Sequence, residues 1–154
     1  MRKNILLAFF CSVSMASFAQ QKKIDSLINE LNNHTQQDTT RYFILKNIAR
    51  AYNNTDPQKA LQTADEAIAL AKKLNDNIKV ASALTTKGIS YHKLGKDSPA
   101  FAVSNQALDI YTKAGDRQRA ADLLFNMGYI YFDIANYYEA LKSHTAALKF
   151  YEQL

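Results

Sequence analysis

The sequence predicts an all-α fold in which antiparallel pairs of helices stack into a repeat array. Small residues recur at a fixed interval: Gly88 and Gly128 are 40 residues apart, and a tyrosine follows each of them by three residues. The chain of 154 residues contains only four glycines and two prolines, so few residues that interrupt helices are present. Its composition, 47% hydrophobic and 21% charged, suits one domain with a continuous core.

Each copy of the repeat carries a leucine, a small residue, a tyrosine and two alanines in the same order. The small residues allow two antiparallel helices to approach closely, and the tyrosine fills the space beside them. The first copy is one residue shorter, which predicts a shorter loop between its two helices. The three sets are Leu45, Ala49, Tyr52, Ala60 and Ala67; Leu84, Gly88, Tyr91, Ala100 and Ala107; and Leu124, Gly128, Tyr131, Ala140 and Ala147.

This pattern resembles the tetratricopeptide repeat family, whose motif combines these residue types in a helix-turn-helix unit. The resemblance covers roughly residues 41–154 and implies a right-handed α-solenoid that binds proteins or peptides without catalysis. Two features depart from the family: leucine replaces the expected tryptophan in every copy, and the proline that usually ends a unit is missing. The period of 40 rather than 34 residues indicates helices longer by about 9 Å in total, at ~1.5 Å per residue.

Turn residues followed by helix caps mark the ends of the predicted helices. Asn75 precedes Asp76, and Gly115 precedes Asp116 at an interval of 40 residues. Ala135 stands at the equivalent place in the last copy and is a poorer stop signal. The predicted helices are residues 22–33, 41–53, 57–74, 77–94, 98–114, 117–134 and 137–153.

The first residues have the layout of a secretory signal peptide, predicted over residues 1–19. Arg2 and Lys3 precede an apolar run, and small residues follow as far as Ala19. The apolar run is shorter than the ~20 residues that cross a bilayer. An uncleaved anchor and a lipid attached at Cys11 are therefore the less favoured alternatives. The sequence predicts an exported protein of the periplasm or cell envelope.

Residues 20–40 are predicted to form a capping helix and a polar connector that cover the open start of the stack. Three units follow, at residues 41–76, 77–116 and 117–154. The last helix still carries apolar residues on its outer side, and no polar capping element is predicted after it. We therefore expect the chain to be truncated at its C-terminal end, as the first part of a longer protein. The alternative is a structural oligomer that pairs through its last helix.

No catalytic, metal-binding or cofactor-binding motif is present. His34, His92 and His144 lack the spacing of metal ligands, and the isolated glycines form no phosphate loop. We expect His144 between paired helices and His92 on a groove-facing or exposed stripe. Cys11 is the only cysteine, and the net charge of +5 is too mild and dispersed for nucleic acid. The sequence thus predicts a protein that is not an enzyme and needs no metal or cofactor.

The first helix of each pair lines the concave surface of such a stack, which defines a predicted ligand groove. One end is cationic and amide-rich and the other is aromatic, an arrangement that suits an extended peptide or protein segment. Alternatively, the aromatic residues pack on neighbouring helices and the cations are simply solvated. The groove residues are Phe43, Lys46, Asn47, Arg50 and Asn53; Ser82, Thr85, Thr86, Ile89 and His92; and Asp122, Phe125, Asn126, Tyr129 and Phe132.

Two specific roles within the family can be compared with these residues. Chaperone-binding members hold a terminal carboxylate with several cations, but Asp122 and Asn126 stand where cations are expected, so this role is rejected. The layout is similar to the sensory regions of bacterial membrane-bound histidine kinases and transcription regulators. That resemblance implies an exported sensory or adaptor scaffold, attached to a membrane only through sequence after Leu154.

Overall fold

The computed structural model describes residues 19–154, and within them every regular element is a helix. The predicted all-α fold is confirmed, whereas the predicted signal peptide, apart from Ala19, lies outside the described residues. No helix of the described part is both long and apolar enough to span a membrane. The helices are α1 (19–33 in the described part), α2 (Thr39–Tyr52), α3 (Pro57–Lys73), α4 (Asn77–Lys93), α5 (Asp97–Lys113), α6 (Arg117–Asp133) and α7 (Tyr137–Tyr151).

Apart from the start of α1, which coincides with the first described residue, the helices begin and end within two residues of the predicted positions. Many of the differences lie at C-terminal ends, where the last predicted residue is the half-helical C-cap, such as Leu74 after α3. At the start of α5, Asp97 is the first helical residue instead of the residue before the helix. Its carboxylate is hydrogen-bonded to Nδ1 of His92 at 2.6 Å, while the N-cap, Lys96, makes no capping bond.

Four helices end in the same backbone turn. The residue after the C-cap has a left-handed conformation, with φ of 53° at Asn75, 69° at Gly95 and Gly115, and 59° at Ala135. In each turn the next amide reaches back to a carbonyl of the last helical turn, as Asp116 N does to Tyr111 O at 2.9 Å. The loop after α2 has no left-handed residue and spans residues 53–56, whereas the later loops span three residues each, as 94–96 does. The predicted shorter loop is therefore wrong: the first copy is shorter because α2 ends at Tyr52, whereas α4 continues past the equivalent Tyr91 to Lys93.

Acidic and amide side chains cap the starts of five helices. The side chains of Asp38, Asp56, Asp76, Asp116 and Asn136 each accept a hydrogen bond from the backbone amide three residues later. Such a bond satisfies one of the four amides that have no partner within the helix. The predicted caps at Asp76 and Asp116 therefore act as the sequence suggested.

The helices pack as three consecutive pairs, α2–α3, α4–α5 and α6–α7, and neighbouring pairs meet through α3–α4 and α5–α6. Small residues lie where paired helices approach most closely: a Cβ added at Gly88 would be 2.6 Å from Ser104 Oγ. The repeated alanines of α3 and α5, such as Ala60, Ala100 and Ala107, are fully buried. The stack of pairs is the predicted α-solenoid, and its close approaches explain the repeated small residues.

Two hydrogen bonds join α2 to α4 across the boundary between the first and second pairs. The hydroxyl of the fully buried Tyr42 donates to Lys79 O at 2.7 Å, and burial raises the pKa of Tyr42 to about 12. Ser90 Oγ donates to Asn53 Oδ1 at 2.6 Å. These bonds hold the first helices of successive pairs side by side, where they can share one surface.

The N-terminal helix α1 packs on the first pair. Its Ile24 is fully buried, and Gln20 Nε2 donates to Ala51 O at 3.0 Å. The guanidinium of Arg41 donates to Leu31 O at 3.0 Å and to His34 O at 2.6 Å, which secures the end of α1 to the start of α2. The helix thus covers apolar surface at the start of the stack.

Candidate functional site

The first helices of the three pairs, α2, α4 and α6, enclose a cleft of about 210 Å³. Its walls combine cations, hydroxyls and an amide with a small apolar floor. We call this the concave cleft. The residues that line it are Lys46, Arg50, Ser82, Thr85, Thr86, Ile89, Tyr111, Arg119, Asp122, Leu123 and Asn126.

Most of the cationic and amide-rich part of the predicted groove lies in this cleft, which also contains three residues that were not predicted. Arg119 lies three residues before Asp122, one helical turn earlier on the same side of α6, so extending the predicted stripe by one turn would have included it. Tyr111 comes from α5, a second helix, and Leu123 is a core residue whose edge reaches the cleft. No signal in the sequence distinguishes these two from other core positions.

Asn53 must be removed from the predicted groove. Its side chain is buried and accepts the hydrogen bond from Ser90 Oγ. The residue is the C-cap of α2, where the turn into α3 has no left-handed residue, unlike the later turns. Its amide therefore joins two helices instead of facing a ligand.

Other predicted residues lie outside the concave cleft. His92 is held between two carboxylates, with Nδ1 2.6 Å from Asp97 Oδ1 and Nε2 3.2 Å from Asp133 Oδ2. It links the second pair to the end of α6. Asn47 is exposed on α2, and Phe43 borders a neighbouring hollow with Lys46.

The aromatic end of the predicted groove lies against α7. The rings of Phe125 and Tyr129 meet edge-to-face at 4.9 Å between centroids, and the imidazole of His144 lies 5.1 and 5.5 Å from them. Phe132 contacts Tyr137 in the same way at 5.5 Å. These contacts agree with the alternative in which the aromatic residues pack on a neighbouring helix, although Phe125 and Tyr129 remain about half exposed.

Lys46 is the central cation of the concave cleft. Its Nζ lies 3.3 Å from Ser82 Oγ and 5.3 Å from the centre of the Phe43 ring. Burial lowers the pKa of Lys46, and the nearby charges of Arg50 and Arg119 lower it further. Within the described residues, neither Lys46 nor Arg50 has a carboxylate at ion-pair distance. The cleft therefore holds two cations that form no ion pair with another described residue.

Comparison with known protein families agrees with the repeated architecture. A family model described as Tetratricopeptide repeat matches residues 42–113, which run from α2 to the end of α5. Residues 42–113 are therefore tetratricopeptide repeats. The third pair has the same arrangement as the matched tetratricopeptide repeats, because Gly128 faces His144 as Gly88 faces Ser104. A search of curated proteins found no match.

Among the described residues that line the concave cleft, Asp122 has the single carboxylate, and this group is already hydrogen-bonded. Asp122 Oδ1 accepts a hydrogen bond from the hydroxyl of Tyr151 at 2.6 Å and one from Gln118 Nε2 at 3.2 Å. The bond to Asp122 raises the pKa of the Tyr151 hydroxyl. Arg119 has its own ion pair with Asp116. The negative charge of Asp122 is thus turned partly toward α7.

Polar groups on α4 and α6 complete the lining of the concave cleft. Thr85 Oγ1 and Thr86 Oγ1 donate to carbonyls of their own helix at 3.0 and 3.3 Å, so their lone pairs can still accept. The amide of Asn126 makes no hydrogen bond with other described residues and can both donate and accept. Within the described part, no group of three or more potential metal ligands is present.

Proposed function

We propose that the concave cleft binds an extended, acidic segment of a partner protein. Tetratricopeptide repeats generally mediate protein–protein interaction and are typically non-catalytic scaffolds, and this chain carries them. The observation that supports an acidic ligand is that Lys46 and Arg50, beside Ser82 and Asn126, form no ion pair with another described residue, so the cleft carries net positive charge. A carboxylate that enters the cleft gains charge-assisted hydrogen bonds and restores the balance of charge.

The geometry of α2 suits two acidic residues of an extended segment. Lys46 and Arg50 are four residues apart, so they lie on the same side of the helix in successive turns, about 6 Å apart along its axis. Side chains two residues apart in an extended segment are separated by roughly 6.5 to 7 Å. Alternate acidic residues can therefore meet Lys46 and Arg50 together, while Asn126 binds the peptide backbone from α6.

We also propose that the array acts outside the cytoplasm as the repeat part of a sensory or adaptor protein. The signal-peptide layout of residues 1–19 supports export, and the 40-residue period supports the sensory variety of array. Mass spectrometry of the protein recovered from the cell envelope tests export. A mature chain that begins at Gln20 supports it, and a chain that retains Met1 in the cytoplasmic fraction contradicts it.

Two labelled peptides test the cleft. Both are ten-residue extended sequences, one alternating glutamate with alanine and the other lysine with alanine. We expect fluorescence anisotropy to show that the intact chain binds the glutamate peptide at least tenfold more tightly, with an affinity that falls as salt screens the charges. Arg50→Glu should remove this preference. Lys72→Glu, an equal change of charge at an exposed site on α3, should preserve it.

Equal binding of the two peptides, or equal loss of affinity in Arg50→Glu and Lys72→Glu, contradicts a specific acidic site. Circular dichroism spectra and melting temperatures of both variants should match those of the unaltered chain. The exposure of Arg50 makes that outcome expected, since exposed residues contribute little to the stability of the fold.

A further inference from the structure

His92 occupies the position in the second pair that Asn53 occupies in the first. Each residue directly follows the tyrosine of its repeat. The side chain of Asn53 is bonded to Ser90 and joins α2 to α4, and the side chain of His92 is bonded to Asp133 and joins α4 to α6. The same repeat position therefore links neighbouring first helices twice, once through an amide and once through an imidazole.

The bond from His92 is the only hydrogen bond between α4 and α6 among the described residues. At the preceding boundary, the hydroxyl of Tyr42 provides a further bond, which joins α2 to a backbone carbonyl of α4 at 2.7 Å. Ser82 stands 40 residues after Tyr42, and its hydroxyl is bonded to Lys46 of α2 instead of to α6. The polar connection between α4 and α6 therefore depends on an imidazole alone.

Two carboxylates face the ring of His92 from different helices. Asp97, the first residue of α5, lies 2.6 Å from Nδ1, and Asp133, the last residue of α6, lies 3.2 Å from Nε2. Among the described residues, His92 is the only ion-pair partner of either carboxylate. The nearest cations in the sequence, Lys93 and Lys96, pair with neither of them. No charged group of α2 or α7 in the described part of the chain lies within ion-pair distance of the ring.

The protonation of the ring determines how many of these bonds form. An imidazolium donates from both nitrogens, so it can bond to both carboxylates at once. A neutral imidazole donates from one nitrogen and presents a lone pair on the other. Asp97 is the closer partner and the less exposed one, at 29% against 59% for Asp133, so the remaining proton stays on Nδ1. The lone pair of Nε2 then faces the carboxylate of Asp133, and the bond between α4 and α6 is lost.

We propose that His92 is a pH-sensitive link that sets the spacing of α4 and α6. Histidine is the side chain whose charge ordinarily changes between pH 5 and 8. The protonated ring holds the two helices together, and loss of the proton releases the end of α6. These helices form two walls of the concave cleft, with Ile89 one turn before His92 and Asn126 two turns before Asp133. The effect on a ligand rests on the proposed function: the acidic segment should bind more tightly at pH 5.5 than at pH 8.

NMR of the ¹⁵N-labelled intact chain without peptide tests the link itself. We expect the side-chain amide of Asn126 to shift between pH 5.5 and 8 with the same midpoint as the ring of His92. His92→Gln should remove this shift, because glutamine does not titrate. His34→Gln is the matched control, since His34 is bonded to a single carboxylate, that of Asp38, and does not contact α6. This control should keep the shift of Asn126.

Two substitutions test the effect on the extended glutamate peptide. We expect fluorescence anisotropy to show that the unaltered chain binds it at least threefold more tightly at pH 5.5 than at pH 8. His92→Gln should show the weaker affinity at both pH values, because it lacks the doubly donating ring. Asp133→Asn should show the tighter affinity at both. Its amide can donate to the lone pair of neutral Nε2, and its oxygen can accept from the protonated ring.

The two measurements distinguish this proposal from the proposed function. An affinity for the glutamate peptide that stays constant from pH 5.5 to 8, or that changes equally in all three proteins, overturns the proposal. So does a shift of Asn126 that persists in His92→Gln, as it would if His144 caused it. If the unaltered chain binds the glutamate and lysine peptides equally at pH 5.5, the proposed function fails. The NMR shifts then decide alone whether His92 links α4 to α6.

Discussion

Gly128 of α6 lies directly against the imidazole ring of His144 of α7. A Cβ added at residue 128 would be 2.6 Å from Cε1 and 2.8 Å from Nδ1 of that ring. The ring has little freedom to move away, because the rings of Phe125 and Tyr129 contact it edge-to-face, at 5.1 and 5.5 Å between centroids. His144 is larger than Ser104, its equivalent in the preceding pair, and it fits because Gly128 opposite has no side chain.

Replacing Gly128 by alanine should destabilise the chain by about 1–3 kcal/mol, the usual cost of overpacking. Chemical denaturation measures this change. The matched control is the same substitution in a His144→Ala background, where the added methyl group has space. There Gly128→Ala should be neutral or stabilising by up to about 1 kcal/mol, because alanine favours helix over glycine. Equal destabilisation in both backgrounds would show that the ring contact does not determine the choice of glycine.

Ala135 offers a stabilising substitution. It holds a left-handed φ of 59° at the turn where Gly95 and Gly115 stand in the equivalent turns. Since a Cβ disfavours this conformation by roughly 1–2 kcal/mol, Ala135→Gly should raise stability by about 1 kcal/mol. Gly115→Ala is the reverse change in an equivalent turn and should lower stability by a similar amount. Calorimetric melting curves that shift in the same direction for both variants would refute this reading of the turn.

Asn53→Ala separates a structural role from ligand binding. The change removes the acceptor of the buried Ser90 hydrogen bond, so it should cost about 0.5–1.5 kcal/mol of stability. The affinity of the acidic extended peptide for the concave cleft should stay the same. A weaker affinity at a temperature where the variant is fully folded would return Asn53 to the binding surface.

The helix caps predict loss of stability in acid. The hydrogen bond from the Lys79 side chain has the largest effect in lowering the pKa of Asp76, and the bond from the Lys79 backbone amide lowers it further. The hydrogen bond from the backbone amide of Lys59 lowers the pKa of Asp56. Their folded pKa values lie below the unfolded value of about 3.8, so the unfolded state binds more protons in that window. Stability should therefore be fully present above about pH 4 and fall as pH drops through the folded pKa values.

Asp76→Asn tests this prediction, because asparagine caps a helix without titrating. Urea denaturation at pH 6 and pH 3 should show a smaller loss of stability in the variant than in the unaltered chain. The sign follows from the lowered pKa of Asp76, which contributes stability only while the carboxylate is ionised. The same loss in both proteins would exclude Asp76 as a source of the acid sensitivity.

The repeat made most of the fold predictable from the sequence. Close contacts between helices allow only small residues at equivalent positions. The repeated glycines Gly88 and Gly128 therefore show in the sequence where the paired helices pack closely. Two cations of the cleft, Lys46 and Arg50, were also predictable, because they lie one turn apart on α2 and the repeat shows which side of that helix faces the groove. The third cation, Arg119, lies one turn before the predicted stripe on α6.

The remaining parts of the site depend on side-chain contacts that periodicity does not record. Asn53 and Asn126 both lie on the first helix of a pair. The side chain of Asn53 is buried and hydrogen-bonded to Ser90, whereas that of Asn126 lines the concave cleft. The engagement of Asp122 by Tyr151 joins residues 29 positions apart on different helices. A stripe of residues on one helix contains no information about such a partner.

An acidic segment held between α2, α4 and α6 can be located directly by NMR. Titrating the ¹⁵N-labelled intact chain with the extended glutamate peptide should shift the backbone amides of Lys46, Arg50 and Ser82 and the side-chain amide of Asn126 more than any others. Arg50→Glu should abolish these shifts while its spectrum keeps the dispersion of a folded chain. Shifts confined to α3, α5 or α7, or shifts that persist unchanged in Arg50→Glu, would contradict binding in the concave cleft.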